Sequence, residues 1–174
     1  IQITPLQLAS LVSTLANGGT IYYLQYPQSE QEMVNFTPRI KRTLDIGSLV
    51  PDIRDGMLAA VLYGTGHRSY AGEGEQPLGK TGTCSDSASR VGWFVSYANQ
   101  AHPKIVLAVL MRGHSMTVTG PMAAGIAGRI YKRLDDVNYF ANKPAPATST
   151  PSASALSSSP SLRAAAAVIS SPSN

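Results

Sequence analysis

Seven consecutive apolar residues, Ile105 to Met111, limit what this chain can fold into more than any other stretch. A strand with one face in water alternates polar and apolar residues, whereas a strand covered on both faces can be apolar throughout. A strand-like segment, Gly92 to Ala98, precedes the run, and residues 99–103 between them suit a turn. We therefore predict an antiparallel pair whose second strand lies centrally in a sheet that helices cover on both sides.

Three segments have the start signals and the apolar spacing that are typical of helices. The first is opened by Thr4-Pro5-Leu6-Gln7, a capping box with proline at the first helical position. Pro51 to Gly64 and Gly120 to Leu134 are the other two, each with proline at its start and one apolar stripe. Thr20 to Tyr26 is predicted as a short strand, and residues 27–35 as a polar loop. The fold class expected is therefore α/β, of the α+β type, with an antiparallel sheet flanked by helices.

The composition divides the chain at about residue 142. With 43% hydrophobic and 14% charged residues over its 174 positions, the chain can bury one core, and residues 1–142 are predicted to form one domain. Of the last 32 residues, 23 are Pro, Ala or Ser, which predicts a disordered tail over 143–174. Within the tail, Leu162 to Ile169 is the stretch with helical potential. Because the chain begins at Ile1 and shows no signal-peptide pattern or apolar run of spanning length, we expect any export signal or membrane anchor to lie upstream.

Charge and ligand types exclude several function classes. The formal charge of +4 comes from scattered basic residues without interleaved aromatic ones, so nucleic acid is not an expected partner. Cys84 is the only cysteine, and none of the three histidines is paired with it in sequence. We interpret Cys84 as an inert residue at a strand end, and we expect neither a metal nor a cofactor.

Candidate chemistry is concentrated in four residues inside the segment Leu78 to Cys84. Lys80 supplies a positive charge for a carboxylate, and Thr81 and Thr83 add hydroxyl donors that could share it. Gly82 has no side chain, so another peptide backbone could lie against the strand edge there. A backbone N–H at or just after Gly82 could also face a developing oxyanion. These residues predict a receptor for the acidic end of a peptide.

Two known motifs match this segment, beside the simple interpretation as a polar turn. The phosphate-binding P-loop pattern is matched by Gly74 and, after four intervening residues, by Gly79-Lys80-Thr81. A P-loop needs a buried strand before it and a helix after it. The preceding residues 68–73 have no apolar run, and Gly82 to Ser87 is poor helix material. The second match is the K-T-G triad of penicillin-binding proteins and serine β-lactamases, which lies on a strand beside the active site. The strand-like flanks favour the second.

With these flanks, residues 1–134 resemble the C-terminal half of the transpeptidase domain of penicillin-binding proteins. The segments that carry the resemblance, in order, are Thr4-Pro5-Leu6-Gln7-Leu8-Ala9, Leu15-Ala16-Asn17-Gly18-Gly19, Gly64-Thr65, Gly79-Lys80-Thr81-Gly82-Thr83 and Trp93-Phe94-Val95-Ser96-Tyr97. The resemblance implies a serine acyltransferase fold that acts on the D-Ala-D-Ala stem peptide of peptidoglycan and is trapped by β-lactam antibiotics. It also implies a place in the cell envelope, outside the cytoplasmic membrane.

The same resemblance assigns roles to the four residues. Lys80 would assist the site electrostatically, and Thr81 and Thr83 would hold the terminal carboxylate of the substrate. The Thr83 N–H would form half of the oxyanion hole, and the nucleophilic serine would supply the other half. Lys80 and Thr83 are thus the candidate catalytic residues, and Lys80, Thr81, Gly82 and Thr83 are the candidate substrate-binding residues.

The family's nucleophile motif, S-x-x-K, is not found in this sequence, and neither is an S-x-N before the triad. Tyr97-Ala98-Asn99 and Ser85-Asp86-Ser87 resemble the second motif but follow Lys80, so we interpret both as chance. We expect the serine to belong to a missing N-terminal half of the same domain, and the chain alone to be catalytically inactive. A serine β-lactamase, a D,D-carboxypeptidase and a non-catalytic sensor with this fold remain alternatives for the parent protein.

Overall fold

The computed structural model of the chain describes residues 3–99 and 105–140, together with the backbone of residues 163–170. In chain order its elements are α1 (Pro5–Ala16), β1 (Thr20–Tyr22), α2 (Glu30–Val34), β2 (Ile40–Thr43), α3 (Val50–Leu62), a short 3₁₀ helix (His67–Ser69), β3 (Pro77–Ser85), β4 (Arg90–Ala98), β5 (Ile105–Gly113), α4 (Gly120–Asp136) and β6 (Arg163–Ser170).

A four-stranded sheet in the order β3-β4-β5-β6 organises the molecule. Strands β3, β4 and β5 pair antiparallel, and β6 pairs parallel with β5. The predicted central position of the apolar strand is confirmed, because β5 lies between β4 and β6. A second, two-stranded sheet pairs β1 with β2.

The two faces of β5 are buried in two separate apolar clusters. Its residues 105, 107, 109 and 111 belong to a cluster that includes Ala123, Ala127 and Tyr131 of α4. Val106 and Ala108 belong to the other, with residues of α1 and α3. Side chains alternate between the faces of a strand, so a run that is apolar at every position can face helices on both sides. The predicted α/β fold class is confirmed.

The first helix begins as its sequence predicts. The Thr4 amide donates to Gln7 Oε1 at 2.9 Å, and the Gln7 amide donates to Thr4 Oγ1 at 3.2 Å, which is a complete capping box. Helices α3 and α4 also lie where they were predicted, although α4 extends to Asp136. These helices are set by local signals that tertiary packing does not override.

The region between α1 and α3 differs from its prediction. The strand predicted to reach Tyr26 ends at Tyr22, and the predicted loop contains α2. Ser29 caps this helix by accepting from the Glu32 amide at 3.2 Å. Ser29 and Glu32 form the S-x-x-E pattern that marks a helix start, so the signal was present in the sequence.

One stretch of the predicted disordered tail is a strand. Residues 163–170 pair with β5 from Ile105 opposite Arg163 to Arg112 opposite Ser170, so the helical potential expected here is not realised. An unpaired edge of β5 offers backbone hydrogen-bond partners, and these outweigh the helix preference of alanine. Residues 141–162 and 171–174 of the tail region lie outside the described residues, as does most of the predicted turn over 99–103.

Candidate functional site

The four candidate residues lie on β3, at one edge of the main sheet. Strand β3 pairs with β4, where Thr81 is opposite Phe94 and Thr83 is opposite Gly92. No described strand pairs with the other side of β3. The predicted position at a sheet margin is therefore confirmed. A phosphate-binding loop is incompatible with this geometry, because the residues after the lysine continue a strand and do not open a helix.

Alternation along β3 separates the lysine from the two threonines. Gly79, Thr81 and Thr83 face the α4 side of the sheet, whereas Lys80 and Gly82 face the side that α1 and α3 cover. We expected one carboxylate to be shared directly by all three side chains. The structure places the Thr81 and Thr83 side chains on one face and the Lys80 side chain on the other, with Lys80 Nζ bonded to the Thr81 carbonyl oxygen.

Thr83 is oriented by the N-terminus of α4. The backbone amide of Gly120 donates to Thr83 Oγ1 at 2.8 Å. An amide N–H can only donate, so the hydroxyl oxygen accepts and the hydroxyl hydrogen stays available for another acceptor. The positive end of the α4 macrodipole lies at the same place and favours a negative ligand. Thr83 is thus prepared to donate to an anion.

Two glycines bring that helix end onto the sheet. A Cβ on Gly120 would lie 2.7 Å from Thr81 Cβ and 2.9 Å from the Gly82 carbonyl oxygen. A Cβ on Gly92 would lie 2.9 Å from Thr119 Cα. The close approach needs glycine at both positions. Sequence reasoning did not identify either residue as part of the site, although an isolated glycine inside a strand is a recognised sign that another backbone lies close by.

The Thr81 hydroxyl forms a hydrogen bond with the hydroxyl of Thr65, a residue in the turn after α3. Sequence reasoning included Thr65 in the family resemblance without giving it a role in the site. The two hydroxyls lie 16 positions apart in the chain, so only the tertiary fold brings them together.

Lys80 is exposed and donates from Nζ to the carbonyl oxygen of Thr81 at 3.0 Å. In the part of the chain that the structure describes, Lys80 forms no ion pair with a carboxylate. Its charge is therefore available to a ligand. Gly82, the next residue on this face, lies against the Trp93 ring, since a Cβ there would be 3.1 Å from Trp93 Cδ1. The missing side chain thus accommodates Trp93 as well as leaving the edge open.

The hairpin loop beyond β3 is held by Asp86. Its Oδ1 accepts from the amides of Ala88 and Ser89, at 2.8 and 2.5 Å, and these bonds lower the pKa of the carboxyl below its usual value. A turn-stabilising carboxylate is consistent with the interpretation of Ser85-Asp86-Ser87 as a chance match to the family's second motif. Cys84, just before it, is a free, exposed thiol.

The four candidate residues lie on the margin of β3, outside two surface depressions of the described residues. A depression of about 380 Å³ lies at the end of β3 and is lined by the hairpin loop together with Arg90, His114 and Met116. Another, of about 560 Å³, lies beside α2, and neither depression is lined by any of the four candidate residues. We assign the site by its donor groups and not by cavity size, because an edge strand binds a peptide along its margin.

A helix-covered sheet whose antiparallel edge strand carries an exposed lysine and two threonine hydroxyls has the arrangement of the penicillin-binding class of serine acyltransferases. The family model described as "Penicillin binding protein transpeptidase domain" matches residues 1–132. The chain belongs to this family.

A solved structure has the same fold. The D,D-transpeptidase domain of a peptidoglycan glycosyltransferase from Eggerthella lenta matches with a TM-score of 0.53 and 21% sequence identity. The match covers 79% of this chain and 33% of that chain, so this chain spans about a third of the length of its structural neighbour. No curated protein matches the sequence.

Proposed function

We propose that the chain is the C-terminal part of a peptidoglycan D,D-transpeptidase and forms one wall of its active site. The observation that carries the proposal is the free edge of β3, where the Thr83 hydroxyl accepts from the Gly120 amide and keeps its own hydrogen for an anion. Membership in the transpeptidase family points to the D-Ala-D-Ala end of a stem peptide as the ligand, and this end offers such an edge an extended backbone and a terminal carboxylate.

The roles follow from the donor groups. Thr81 and Thr83 hold the terminal carboxylate, and Gly82 leaves room for the peptide beside the strand. Lys80 adds positive charge from the other face, and the Thr83 N–H serves as half of the oxyanion hole. Two such donors at an oxyanion matter greatly, since removing one in a characterised enzyme costs about 3–4 kcal/mol of transition-state stabilisation.

The reaction needs a serine from outside this chain. Its hydroxyl oxygen attacks the penultimate D-Ala carbonyl, the terminal D-Ala leaves, and an acyl-enzyme forms. An amine of a second stem peptide then takes the acyl group and frees the serine. β-Lactams bind at the same place, because they acylate the same serine through their own carbonyl.

A fluorescent penicillin tests the proposal. We expect the full-length protein from the same gene to be labelled covalently, with label that survives denaturation, and the present chain alone to stay unlabelled. Labelling of the chain alone would contradict the assignment of the serine to another segment. An unlabelled full-length protein would favour the non-catalytic sensor.

Turnover separates the remaining enzymatic alternatives. A transpeptidase holds the acyl group from penicillin for long periods, a β-lactamase hydrolyses the drug repeatedly, and a D,D-carboxypeptidase releases D-Ala from a stem peptide without an acceptor amine. These assays on the full-length protein decide among the three.

We further propose that the protein acts at the cell envelope, outside the cytoplasmic membrane, and that an upstream segment anchors it. Among the helices of residues 3–99 and 105–140, none has both the length and the apolar character that crossing a bilayer requires. Fractionation of cells that express the full-length protein tests the location: we expect it in the envelope fraction, and recovery in the cytoplasm would contradict this.

A further inference from the structure

Thr65 lies against the candidate site although it comes 16 positions before Thr81 in the chain. Its side chain is exposed, and its Oγ1 forms a hydrogen bond with Thr81 Oγ1. No other described side chain forms a hydrogen bond with the Thr81 hydroxyl. Thr65 is therefore the protein group that sets which way this hydroxyl points.

The turn that carries Thr65 is tightly fixed. The Gly64 amide donates to the Ala59 carbonyl at 3.2 Å, and the Gly66 amide donates to the Ala60 carbonyl at 2.9 Å. A Cβ on Gly66 would lie 2.9 Å from the Ala60 carbonyl oxygen. The glycines on both sides of Thr65 thus let the turn fold back on the end of α3.

The same turn is docked on the strand pair that carries the site. A Cβ on Gly66 would also lie 3.2 Å from Cε2 of Phe94, and Phe94 is the residue opposite Thr81 across the β3–β4 pair. Contact between Thr65 and Thr81 therefore follows from the packing of Gly66 on Phe94. It does not depend on the rotation of a long, mobile side chain.

The polarity of the Thr65–Thr81 pair decides what Thr81 can bind. If Thr81 donates to Thr65, its hydrogen is used and it can only accept, which repels a carboxylate. If Thr65 donates, the Thr81 hydrogen is free, and a donated hydrogen bond polarises the hydroxyl and strengthens the bond it makes in turn. Thr83 already has the second arrangement, because its partner is an amide.

We propose that Thr65 is a positioning residue for substrate binding: it donates to Thr81 Oγ1, so that both threonine hydroxyls present hydrogens to the terminal carboxylate. This inference deepens the proposed function and rests on it. It predicts that Thr65 matters for ligands that carry the carboxylate and not for ligands that lack it. A contact that only holds the end of α3 would affect both kinds of ligand equally.

The test uses the full-length protein and two ligands, a penicillin and its methyl ester. For each variant we measure the second-order rate constant of acylation by both ligands and take their ratio. In Thr65→Val we expect acylation by the free acid to fall about fivefold to tenfold, the factor that one neutral hydrogen bond contributes. Acylation by the ester is expected to stay within about twofold, since the ester has no anion to bind.

Matched variants complete the test. Thr65→Ser keeps a hydroxyl and is expected to restore the ratio, while Thr37→Val, an exposed threonine beyond the site, is expected to change neither rate. Thr65→Ala provides the same comparison if the valine variant is unstable in thermal unfolding. If the ratio is unchanged in both the Val and the Ala variant while the wild type is acylated normally, the role of Thr65 is overturned but the proposed function is not. A wild-type protein that no penicillin acylates overturns the proposed function, and the Thr65 role with it.

Discussion

The backbone amide of Gly120 donates a hydrogen bond of 2.8 Å to the hydroxyl of Thr83, and this bond joins the start of α4 to the candidate site. The two residues are 37 positions apart in the chain. Gly120 is the first residue of α4, and Thr83 lies on the edge strand β3. The bond leaves the hydroxyl hydrogen of Thr83 for a ligand. Helix α4 therefore supports the site as well as covering the sheet.

Replacement of Gly120 by alanine should weaken this junction. Its Cβ would lie 2.7 Å from Thr81 Cβ and 2.9 Å from the Gly82 carbonyl oxygen, so backbone atoms must move. We expect Gly120→Ala to lower the free energy of unfolding by about 1–3 kcal/mol, the usual cost of overpacking. Urea unfolding of the chain measures the change.

Gly125→Ala is the matched control in the same helix. A Cβ there would lie 3.7 Å from Arg68 Cβ, an ordinary contact, so we expect equal or higher stability from the better helix propensity of alanine. Equal stability of the two variants would contradict the close docking of α4 on β3.

Removal of the Thr83 hydroxyl should impair ligand binding more than removal of the Thr65 hydroxyl. In the full-length protein we expect Thr83→Val to slow acylation by penicillin about tenfold to a hundredfold, since a hydrogen bond to a charged group contributes roughly 1.5–3 kcal/mol. Thr83→Ser should retain most of the rate. Stopped-flow acylation measures both, and a valine variant as fast as the serine variant would argue against the carboxylate role of Thr83.

Two buried tyrosines offer a comparison of hydrogen bonding in the core. The Tyr131 hydroxyl bonds with Ser96 Oγ at 3.1 Å, whereas the buried Tyr97 hydroxyl forms no well-aligned hydrogen bond with a described residue and has the Arg54 guanidinium as a polar neighbour. We expect Tyr131→Phe to lower the free energy of unfolding by about 1 kcal/mol, and Tyr97→Phe to lower it by less, because its polar neighbour Arg54 is only weakly aligned with the hydroxyl. Denaturant unfolding compares them, and a larger loss in Tyr97→Phe would show that this hydroxyl is paired.

Asp86 should make the hairpin loop sensitive to acid. Its pKa is lowered because the Ala88 and Ser89 amides bond the charged form. The stability it contributes is therefore present above the pKa of the unfolded chain and is lost as the pH falls through the lower pKa of the folded state.

We expect the difference in free energy of unfolding between the wild type and Asp86→Asn to shrink as the pH is lowered through that range. Unfolding curves at a series of acidic pH values measure it. A difference that stays constant with pH would show that the carboxylate charge contributes nothing to the loop.

Much of the fold could be predicted because its signals are local. The capping box of α1, the proline starts of α3 and α4, and the apolar run of β5 each specify an element without help from distant residues. The S-x-x-E start of α2 was an equally local signal that the loop prediction passed over. Strand β6 could not be foreseen, since its residues favour a helix and only the open edge of β5 makes them a strand.

The site was predicted in part. The four residues of β3 were identified from their chemistry, but the period of two along a strand already implied that Lys80 and Thr81 face opposite sides. Thr65, Gly92 and Gly120 had no signal of comparable strength, because a threonine or glycine gains its role only from what packs against it.

The sequence by itself determined the helices, the doubly covered strand and the identity of the donor groups on β3, because each depends on spacing and residue type within a short segment. Only the tertiary structure decided which hydroxyls meet and which way they point. Those contacts join residues 16 and 37 positions apart, and their geometry depends on how closely a turn and a helix end can approach one strand.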